Sequence, residues 1–336
     1  MLLPFFRGEG FTDEERKAVY GISNEDVVYA DSLATCDLVI LTMSWNYYKK
    51  NNCVNLALEL IKHAAESNKV VWIYISGDFG MHLPHFKHAV IFRHGGNRSK
   101  LRSNHIGLPV FIRDPLSNIF EGDRAVLHNT YNKTPSVGFC GQAPSSKFIH
   151  VKEHAKVAYR NLKYHLGVGY HSPQPVQSSS RLRYKALLQI EKSQGLNSNF
   201  LRRNKYRAGA VTGEARRDTM MAYFENMVQS NYILCIRGAG NFSVRFYETL
   251  AMGRIPVLLD TDCLLPLASE VDWSRHLIIV KENHLKHLNA RITSYHKALS
   301  KERFEAISIS NRTLWEKKLR FGAFFKTILS PYTHHQ

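Results

Sequence analysis

The sequence lacks the cysteine patterns that accompany a disulfide framework or a zinc site. Its five cysteines are scattered over 336 residues with no CxxC pair and no Cys/His spacing. Disulfides and structural zinc are therefore not expected, and the thiols are predicted to be reduced and buried. The sequence also lacks an apolar run near the roughly 20 residues of a membrane span, and its apolar opening is shorter than a signal peptide. We expect a soluble protein.

Acidic residues are scarce as well. There are 28 Asp and Glu against 45 Lys and Arg, which gives a formal net charge of +17. Residues 181–220 alone contain ten basic and three acidic residues. Such an excess favours an anionic partner, which could be nucleic acid, a membrane surface, or acidic sugar chains with a nucleotide. No helix-turn-helix, zinc-finger or RNP-like pattern accompanies the charge, so we prefer the membrane surface and expect no nucleic acid.

The length and the 44% hydrophobic content indicate two α/β domains. In the N-terminal half, short apolar runs alternate with an amphipathic helical segment at residues 53–66, a pattern typical of a parallel sheet. This half is predicted to be a Rossmann-type domain. The runs of strand length are residues 27–30, 38–43, 70–75, 89–92, 109–112 and 136–140.

Residues 231–273 carry the densest pattern in the C-terminal half. An apolar strand at 232–236 leads through a glycine turn to a helix at 243–252 and a second strand at 255–259. Ser243 or Asn241 is expected to cap the first turn of this helix, and Gly253 to end it.

The start of that helix is predicted to bind phosphate. Its free N–H groups would lie at the carboxyl end of a parallel strand, with Arg237 and Arg245 close to the bound anion. Glu248 lies one turn inside the helix and could accept two hydrogen bonds from a ribose diol. The alternative is an Arg245–Glu248 surface ion pair, worth only about 0.3–0.5 kcal/mol.

This stretch resembles the signature of the exostosin-type glycosyltransferases. The match covers an arginine-glycine pair, a Ser-x-Arg-x-x-Glu helix start, an Ile-Pro-Val strand, and a downstream proline and tryptophan. The matching positions are Arg237, Gly238, Ser243, Arg245, Glu248, Gly253, Ile255, Pro256, Val257, Pro266, Asp272 and Trp273. Residues 139–141 are similar to the motif at the family's domain junction.

The resemblance implies the GT-B fold, which consists of two Rossmann-like α/β domains facing each other across a cleft. We expect an acceptor domain at residues 1–142, a nucleotide-sugar domain at 143–312, and a C-terminal helix at 313–336 that packs back on the first domain. The implied activity is transfer of a sugar, with inversion, from a nucleotide-sugar to a glycan or a lipid-linked saccharide. By family habit the donor is a UDP-sugar.

The donor site implied by the resemblance lies in the phosphate-binding turn and helix. Its residues are Arg237, Gly238, Gly240, Asn241, Ser243, Arg245 and Glu248. Arg245 would also act in catalysis by offsetting charge on the leaving group. Eukaryotic exostosin-like enzymes usually carry a membrane anchor, and this sequence contains none. We expect a cytoplasmic enzyme with peripheral membrane contact, and the alternative is a shortened form of an anchored one.

Inverting transfer needs a base for the acceptor hydroxyl, and the loop at residues 76–85 offers one. We favour Asp78, because related enzymes tend to use a carboxylate from the N-terminal domain, although Gly-Asp-x-Gly is also a good turn sequence. His82, His85 and Glu9 are the alternatives as base or acceptor contact. The glycine-rich, basic residues 93–98 could bind an acidic acceptor or the donor phosphates, or form a solvated turn.

A basic residue near the start of the second domain often reaches the donor diphosphate in this family. Four arginines compete for that role, and the sequence does not separate them: Arg181, Arg183, Arg202 and Arg203. Asp260 and Asp262 resemble a metal pair, yet GT-B enzymes generally lack a metal-binding carboxylate motif. No metal and no other cofactor is expected, since arginines and a helix N-terminus can stabilise the leaving group.

Two other classes of protein remain as alternatives. One is a catalytically inactive exostosin-like protein that binds anionic polysaccharide through its basic surface. The other is a nucleic-acid binder, whose affinity would fall steeply with salt. The combination of Arg245 and Glu248 in one helix argues against both.

Overall fold

The computed structural model describes residues 12–120 and 128–332, which contain two parallel β-sheets. The strands of the N-terminal sheet are β1 (Leu38–Ile40), β2 (Val70–Ile75), β3 (Ala89–Arg93) and β4 (His105–Gly107). They lie in the order β1-β2-β3-β4, and each neighbouring pair is parallel. Both faces of β2 and β3 are largely buried, as is usual for parallel strands covered by helices on both sides.

The C-terminal sheet has five strands, all parallel, in the order β6-β5-β7-β8-β9. They are β5 (Ser136–Gln142), β6 (Asn197–Arg203), β7 (Tyr232–Cys235), β8 (Ile255–Asp260) and β9 (Ile278–Lys281). The chain passes from β5 to β6 on one side and then returns to β7 on the other side of β5. That reversal is a topological switch point, where open α/β sheets bind their ligands.

Helices connect the strands. Those of the first half are α1 (Asp13–Tyr20), α2 (Trp45–Lys50), α3 (Val54–Glu66), α4 (Pro115–Ile119) and α5 (Lys147–His165). Those of the second half are α6 (Ser179–Glu191), α7 (Gly213–Val228), α8 (Val244–Ala251), α9 (Leu288–Lys297), α10 (Lys301–Leu314) and α11 (Phe321–Leu329). The predicted fold class, two parallel α/β sheets of Rossmann type, is confirmed.

Two predicted strands are absent from the described residues. Residues 27–30 form no strand, and the side chain of Val28 is 72% exposed, so no neighbouring strand covers it. Residues 109–112 also form no strand. The amide of Leu108 still donates to the carbonyl of Arg93, but Pro109 has no N–H to continue the ladder. The edge strand is instead β4.

The described part of the C-terminal segment predicted as one helix at 313–336 is not a single helix. A π-helical turn at Trp315–Leu319 follows α10, and the extended backbone of Arg320 separates it from α11. The ring of Phe325 in α11 lies 5.8 Å from the ring of Trp72 and 5.8 Å from that of Phe92. The segment thus packs on the N-terminal sheet.

One buried apolar core extends from the N-terminal sheet into the C-terminal domain. It contains Trp72 and Phe92 of the N-terminal sheet, Phe325 of α11, and Phe246 and Leu250 of α8. The two sheets therefore share side-chain packing as well as a chain connection.

An ion pair ties α10 to the segment that leaves the N-terminal sheet. Arg312 Nη1 donates to Asp114 Oδ1 at 2.8 Å and to the carbonyl of Ala251, at the end of α8, at 2.7 Å. Burial alone would raise the pKa of Asp114, but the bonds from Arg312 hold that pKa below its usual value. The pair therefore stabilises the fold above the unfolded-state pKa, and this contribution is lost as the pH falls through the folded-state pKa.

We expect Arg312→Ala to lower the free energy of unfolding by roughly 3 kcal/mol, because it leaves a half-buried carboxylate without its cation. Urea denaturation at neutral pH measures this loss. The control is Lys326→Ala, which removes a more exposed pair with Asp26 and should cost less than about 1 kcal/mol. Equal losses in the two variants would contradict the role given to Arg312.

Candidate active site

The candidate site lies at the switch point, where β5 and β7 end and α8 begins. The connection from β7 to α8 is a tight loop, closed by a 2.8 Å hydrogen bond from the amide of Gly238 to the carbonyl of Phe242. The phosphate-binding turn predicted from the sequence is this loop. It lies where the topology favours a ligand.

Three arginine side chains gather beside the loop, and we call Arg183, Arg237 and Arg245 the arginine cluster. Arg183 donates to the carbonyl of Arg237 at 2.8 Å and to that of Gln142 at 3.3 Å. Arg237 donates to the carbonyl of Gln177 at 2.6 Å. Arg245 donates to the carbonyl of Cys140 at 2.6 Å. Backbone carbonyls thus hold all three guanidinium groups.

Carboxylates in the described part of the chain act on the arginine cluster only without direct contact: Glu153 on Arg183, Glu282 on Arg237 and Glu248 on Arg245. Among the described residues, no carboxylate forms an ion pair with any of the three. The buried Nε atom of each has no hydrogen-bond partner in the same set. Burial, and then the nearby charges of Arg245 and Arg237, lower the pKa of Arg183 to about 10. A bound anion would offset the burial and mutual repulsion of these cations, so the cluster suits a phosphate group.

The structure separates the four arginines that competed for the diphosphate. Arg183 alone of the four joins the cluster. Arg181 is exposed, Arg202 pairs with Glu191, and Arg203 donates to the carbonyl of Thr219.

Arg245 and Glu248 do not form the surface ion pair considered as the alternative. The guanidinium of Arg245 lies 4.3 Å from the ring centre of Phe139 and 5.6 Å from that of Tyr223. Glu248 Oε2 accepts a hydrogen bond from the hydroxyl of Tyr223 at 2.5 Å. Burial raises the pKa of Glu248, and the bond from Tyr223 and the charge of Arg245 only partly offset that rise.

Tyr223 is a site residue that sequence reasoning missed. It lies on α7, 25 positions before Glu248, and no motif links the two. The resemblance pointed only to residues around the loop and α8.

The predicted side-chain cap of α8 is not made. Ser243 occupies the N-cap position, but its hydroxyl accepts no bond from the first turn. Asn241 does not cap the helix either, because its side chain bonds elsewhere. The first-turn amides of α8 are therefore left without a side-chain cap, which keeps them available to an anion.

Asn241 joins loops of both domains. Its side-chain amide donates to the carbonyls of Gly96, Thr261 and Asp262 at 3.1, 2.8 and 3.0 Å. Its carbonyl oxygen accepts from the hydroxyl of Thr261 at 2.6 Å. With these bonds and 1% exposure, the side chain of Asn241 positions the loop.

Gly240 brings the Asp78 loop against the phosphate-binding loop. A Cβ atom at Gly240 would lie 1.9 Å from the carbonyl oxygen of Asp78, and one at Gly95 would lie 2.6 Å from it. No side chain larger than hydrogen fits at Gly240 without moving one backbone. The predicted base loop and donor loop are thus in direct contact, and the side chain of Asp78 is exposed.

His94 lies in the same cleft. Its Nδ1 is 3.3 Å from the carbonyl oxygen of Leu108, which can only accept, so Nδ1 carries the proton and Nε2 holds a lone pair. The ring lies 5.5 Å from that of Phe242 in the donor loop. Burial lowers the pKa of His94, although the charge of Asp78 acts in the opposite direction. A neutral imidazole beside a carboxylate is a second candidate for proton transfer.

Three other candidate bases were predicted. His82 and His85 are both exposed. Glu9 lies outside the described residues.

The predicted metal-like pair, Asp260 and Asp262, bonds to the protein. Asp260 Oδ1 accepts from the amide of Cys263 at 2.9 Å. Asp262 Oδ2 accepts from the hydroxyl of Ser99 at 2.6 Å, across the two domains. Both carboxylates therefore hold loops in place.

A pocket of about 760 Å³ opens next to these loops, within the size range of small-molecule sites. Both domains line it, mainly with polar side chains. Residues at its wall include Asn97, Arg98, Gln177, Lys185, Asp260 and Lys281. Gln177 links the pocket to the arginine cluster, because its carbonyl accepts from Arg237.

The two α/β domains, with the arginine cluster at the switch point, have the GT-B arrangement that the resemblance implied. Residues 178–295 match the family model of the Exostosin GT47 domain. The resemblance predicted from the loop and α8 is confirmed over this segment, which contains the entire arginine cluster.

Named relatives align with part of the chain. Exostosin-1 of Drosophila melanogaster is 31% identical over 110 residues, which are 32% of this chain and 14% of that protein. A probable glucuronosyltransferase of Oryza sativa subsp. japonica is 31% identical over 111 residues, 32% of this chain and 27% of that protein. A probable beta-1,4-xylosyltransferase, IRX10 of Arabidopsis thaliana, is 31% identical over 77 residues, which are 23% of this chain and 19% of that protein. The alignments span about a quarter or less of each relative's length.

Solved structures resemble the chain more distantly. TarM gives a TM-score of 0.36 at 9% identity, covering 79% of this chain and 51% of TarM. A glycosyltransferase from Rickettsia africae ESF-5 gives a TM-score of 0.38 at 10% identity, covering 79% of this chain and 70% of that one. These scores carry no argument about the site.

We expect Gly240→Ala to destabilise the protein by about 1–3 kcal/mol, because the added methyl group meets the backbone of Asp78. Thermal or urea denaturation measures the change. Gly213→Ala is the matched control: a Cβ there has nothing within 4 Å, and it lies in the first turn of α7. The control should be neutral or slightly stabilising. A neutral Gly240→Ala would show that the two loops are not held in contact.

Proposed function

We propose that the protein is a glycosyltransferase that moves a sugar from a nucleotide-sugar to a glycan or a lipid-linked saccharide. The observation that carries the proposal is the arginine cluster, three cations without a carboxylate partner at the switch point of an Exostosin GT47 domain. A UDP-sugar is the proposed donor, following the habit of the family.

The donor diphosphate is proposed to lie between the arginine cluster and the first turn of α8. The guanidinium groups are already fixed by backbone carbonyls, so they need little reorganisation as charge develops on the leaving group. Glu248 is proposed to bind the ribose, because its carboxylate has lone pairs beyond the one used by Tyr223. The polar pocket next to Gln177 is proposed to receive the sugar.

In the proposed reaction, a base removes the proton of the acceptor hydroxyl as its oxygen bonds to the anomeric carbon. The bond from that carbon to the diphosphate oxygen breaks, and the nucleotide diphosphate departs with the electron pair. Attack from the face opposite the leaving group gives inversion. The arginine cluster offsets the negative charge on the diphosphate, so no metal is assigned to this step.

Asp78 is the proposed base. His94 is a second candidate, which we add because its ring lies next to the donor loop. Both belong to the N-terminal domain. The backbone of Asp78 lies against Gly240 and its carboxylate is exposed. The ring of His94 lies 5.5 Å from that of Phe242 in the donor loop, and its Nε2 keeps a lone pair. Either group could take the proton directly or through one water.

A protein that binds anionic polysaccharide without catalysis is the second candidate function. The basic excess in residues 181–220 supports it, since Arg181 and Lys185 are exposed there. This function requires no nucleotide, which separates it from the first.

We expect UDP to raise the free energy of unfolding by about 2.7 kcal/mol at a concentration 100 times its dissociation constant. Arg183→Met and Glu248→Ala should remove most of this stabilisation, because they remove an anion contact and a ribose contact. Arg202→Met is the control, since Arg202 is exposed and pairs with Glu191. Denaturation with a panel of UDP, GDP, CMP and dTDP measures the effect. Unchanged UDP affinity in Arg183→Met and Glu248→Ala would overturn the donor site.

We expect Asp78→Asn to lower kcat by about 10²–10⁴-fold with little change in donor affinity, because it removes only the proton acceptor. His94→Gln is compared in the same assay, with UDP binding as the control for an intact donor site. A large loss in His94→Gln with an active Asp78→Asn would transfer the role to His94. Full activity in both variants would exclude this cleft as the source of the base.

A further inference from the structure

Helix α5 presents its apolar side to solvent and its polar side to the protein. His150 is the only fully buried residue of its 19. The large exposed apolar residues are spaced by three, four or eight positions, and exposed Ala155 lies midway in the eight-residue step, so they form one stripe, which is the usual pattern of a buried face. The members and their exposures are Phe148 at 76%, Val151 at 65%, Tyr159 at 60%, Leu162 at 55% and Leu166, just after the helix, at 67%. We call these five residues the outer stripe.

Polar contacts on the inner side of α5 hold the helix in this orientation. Glu153 accepts a hydrogen bond from the hydroxyl of Ser180. Asn161 donates to the carbonyl of Gln174 at 2.8 Å and accepts from its amide at 3.0 Å. The outer stripe is therefore not required for packing within the described residues. A contiguous exposed apolar patch of this kind is typical of an interaction surface.

The charge around the outer stripe has one sign. Lys147, Lys152, Lys156 and Lys163 are all exposed on the same helix. The only acidic residue of α5 is Glu153, which faces inward. Apolar residues flanked by lysines are the composition of helices that lie in the interface of an anionic bilayer. Lysine stems also let the charged ends reach headgroups while the stems lie on apolar surface.

The position of α5 also relates the outer stripe to the candidate active site. The guanidinium of Arg160, on the inner side of the helix, lies 3.8 Å from the ring centre of Phe79. Phe79 follows Asp78 in the loop that contacts the donor loop. Just beyond α5, His171 forms a β-bridge with Met81 of the same loop. Helix α5 would therefore lie between a surface bound at the outer stripe and the loop that carries the proposed base.

We propose that the outer stripe and its four lysines form a docking surface for an anionic lipid bilayer. A second copy of the chain is a poorer occupant, because pairing two such faces would bring like charges together. The bilayer matches both the apolar stripe and the positive charge. This inference concerns binding alone and does not depend on the proposed glycosyl transfer.

The test is flotation of the full chain with vesicles of phosphatidylcholine, either alone or mixed with phosphatidylserine. We expect binding to the mixed vesicles that weakens with salt, and much weaker binding to neutral ones. Replacing Lys152 and Lys156 by Glu should reduce binding to the mixed vesicles by at least about a hundredfold. The triple variant Phe148→Ser, Leu162→Ser and Leu166→Ser should abolish it.

The matched control is the double variant Val28→Ser and Val211→Ser, which removes exposed valines elsewhere and should bind as the unaltered chain does. Retained binding by the triple variant, or no binding of the unaltered chain, would overturn the proposal. A dimer in solution that the triple variant dissociates would also overturn it and identify a second copy as the occupant. Stabilisation by UDP is measured in parallel, and it should be unchanged in every variant. A loss of UDP binding alone would count against the donor site and leave the membrane surface standing.

Discussion

The candidate site depends on the side-chain amide of Asn241. This one group bonds to the Gly96 loop of the N-terminal domain and to the loop that follows β8 in the C-terminal domain. A buried amide that loses its partners costs about 1–3 kcal/mol, so the loops are held together by that penalty. Because the side chain of Asn241 is fixed, Gly240 lies in close contact with the backbone of Asp78, and the loop before α8 is held in place.

The arginine cluster differs from Asn241 in how far its polar atoms are paired. Both polar side-chain atoms of Asn241 have partners, whereas the three guanidinium groups have buried Nε atoms without a partner and no ion pair with a carboxylate among the described residues. Proteins seldom leave buried cations in that state unless a ligand completes them. This contrast supports the proposed position of the donor diphosphate on the arginine side of the loop.

Local pattern was enough to predict much of the fold. β2 was predicted with its observed bounds, and the strand, loop, helix and strand around α8 were placed within two residues, because apolar runs and glycine agree there. Residues 27–30 were predicted wrongly, since an apolar run without a neighbouring strand to pair with does not become one. Hydrogen bonds between segments that are distant in sequence could not be predicted either. The bond from Tyr223 to Glu248 and the selection of Arg183 from four arginines depend on how α6 and α7 lie against the sheet.

The apolar core that contains Trp72, Phe325 and Phe246 has a consequence for how substrates enter and leave. Rotation of one domain away from the other would shear a close-packed interior and uncover its aromatic rings. Wide hinge opening between the domains is therefore energetically unfavourable for this chain. In the proposed reaction, donor and product would exchange through small movements of surface loops over a rigid body.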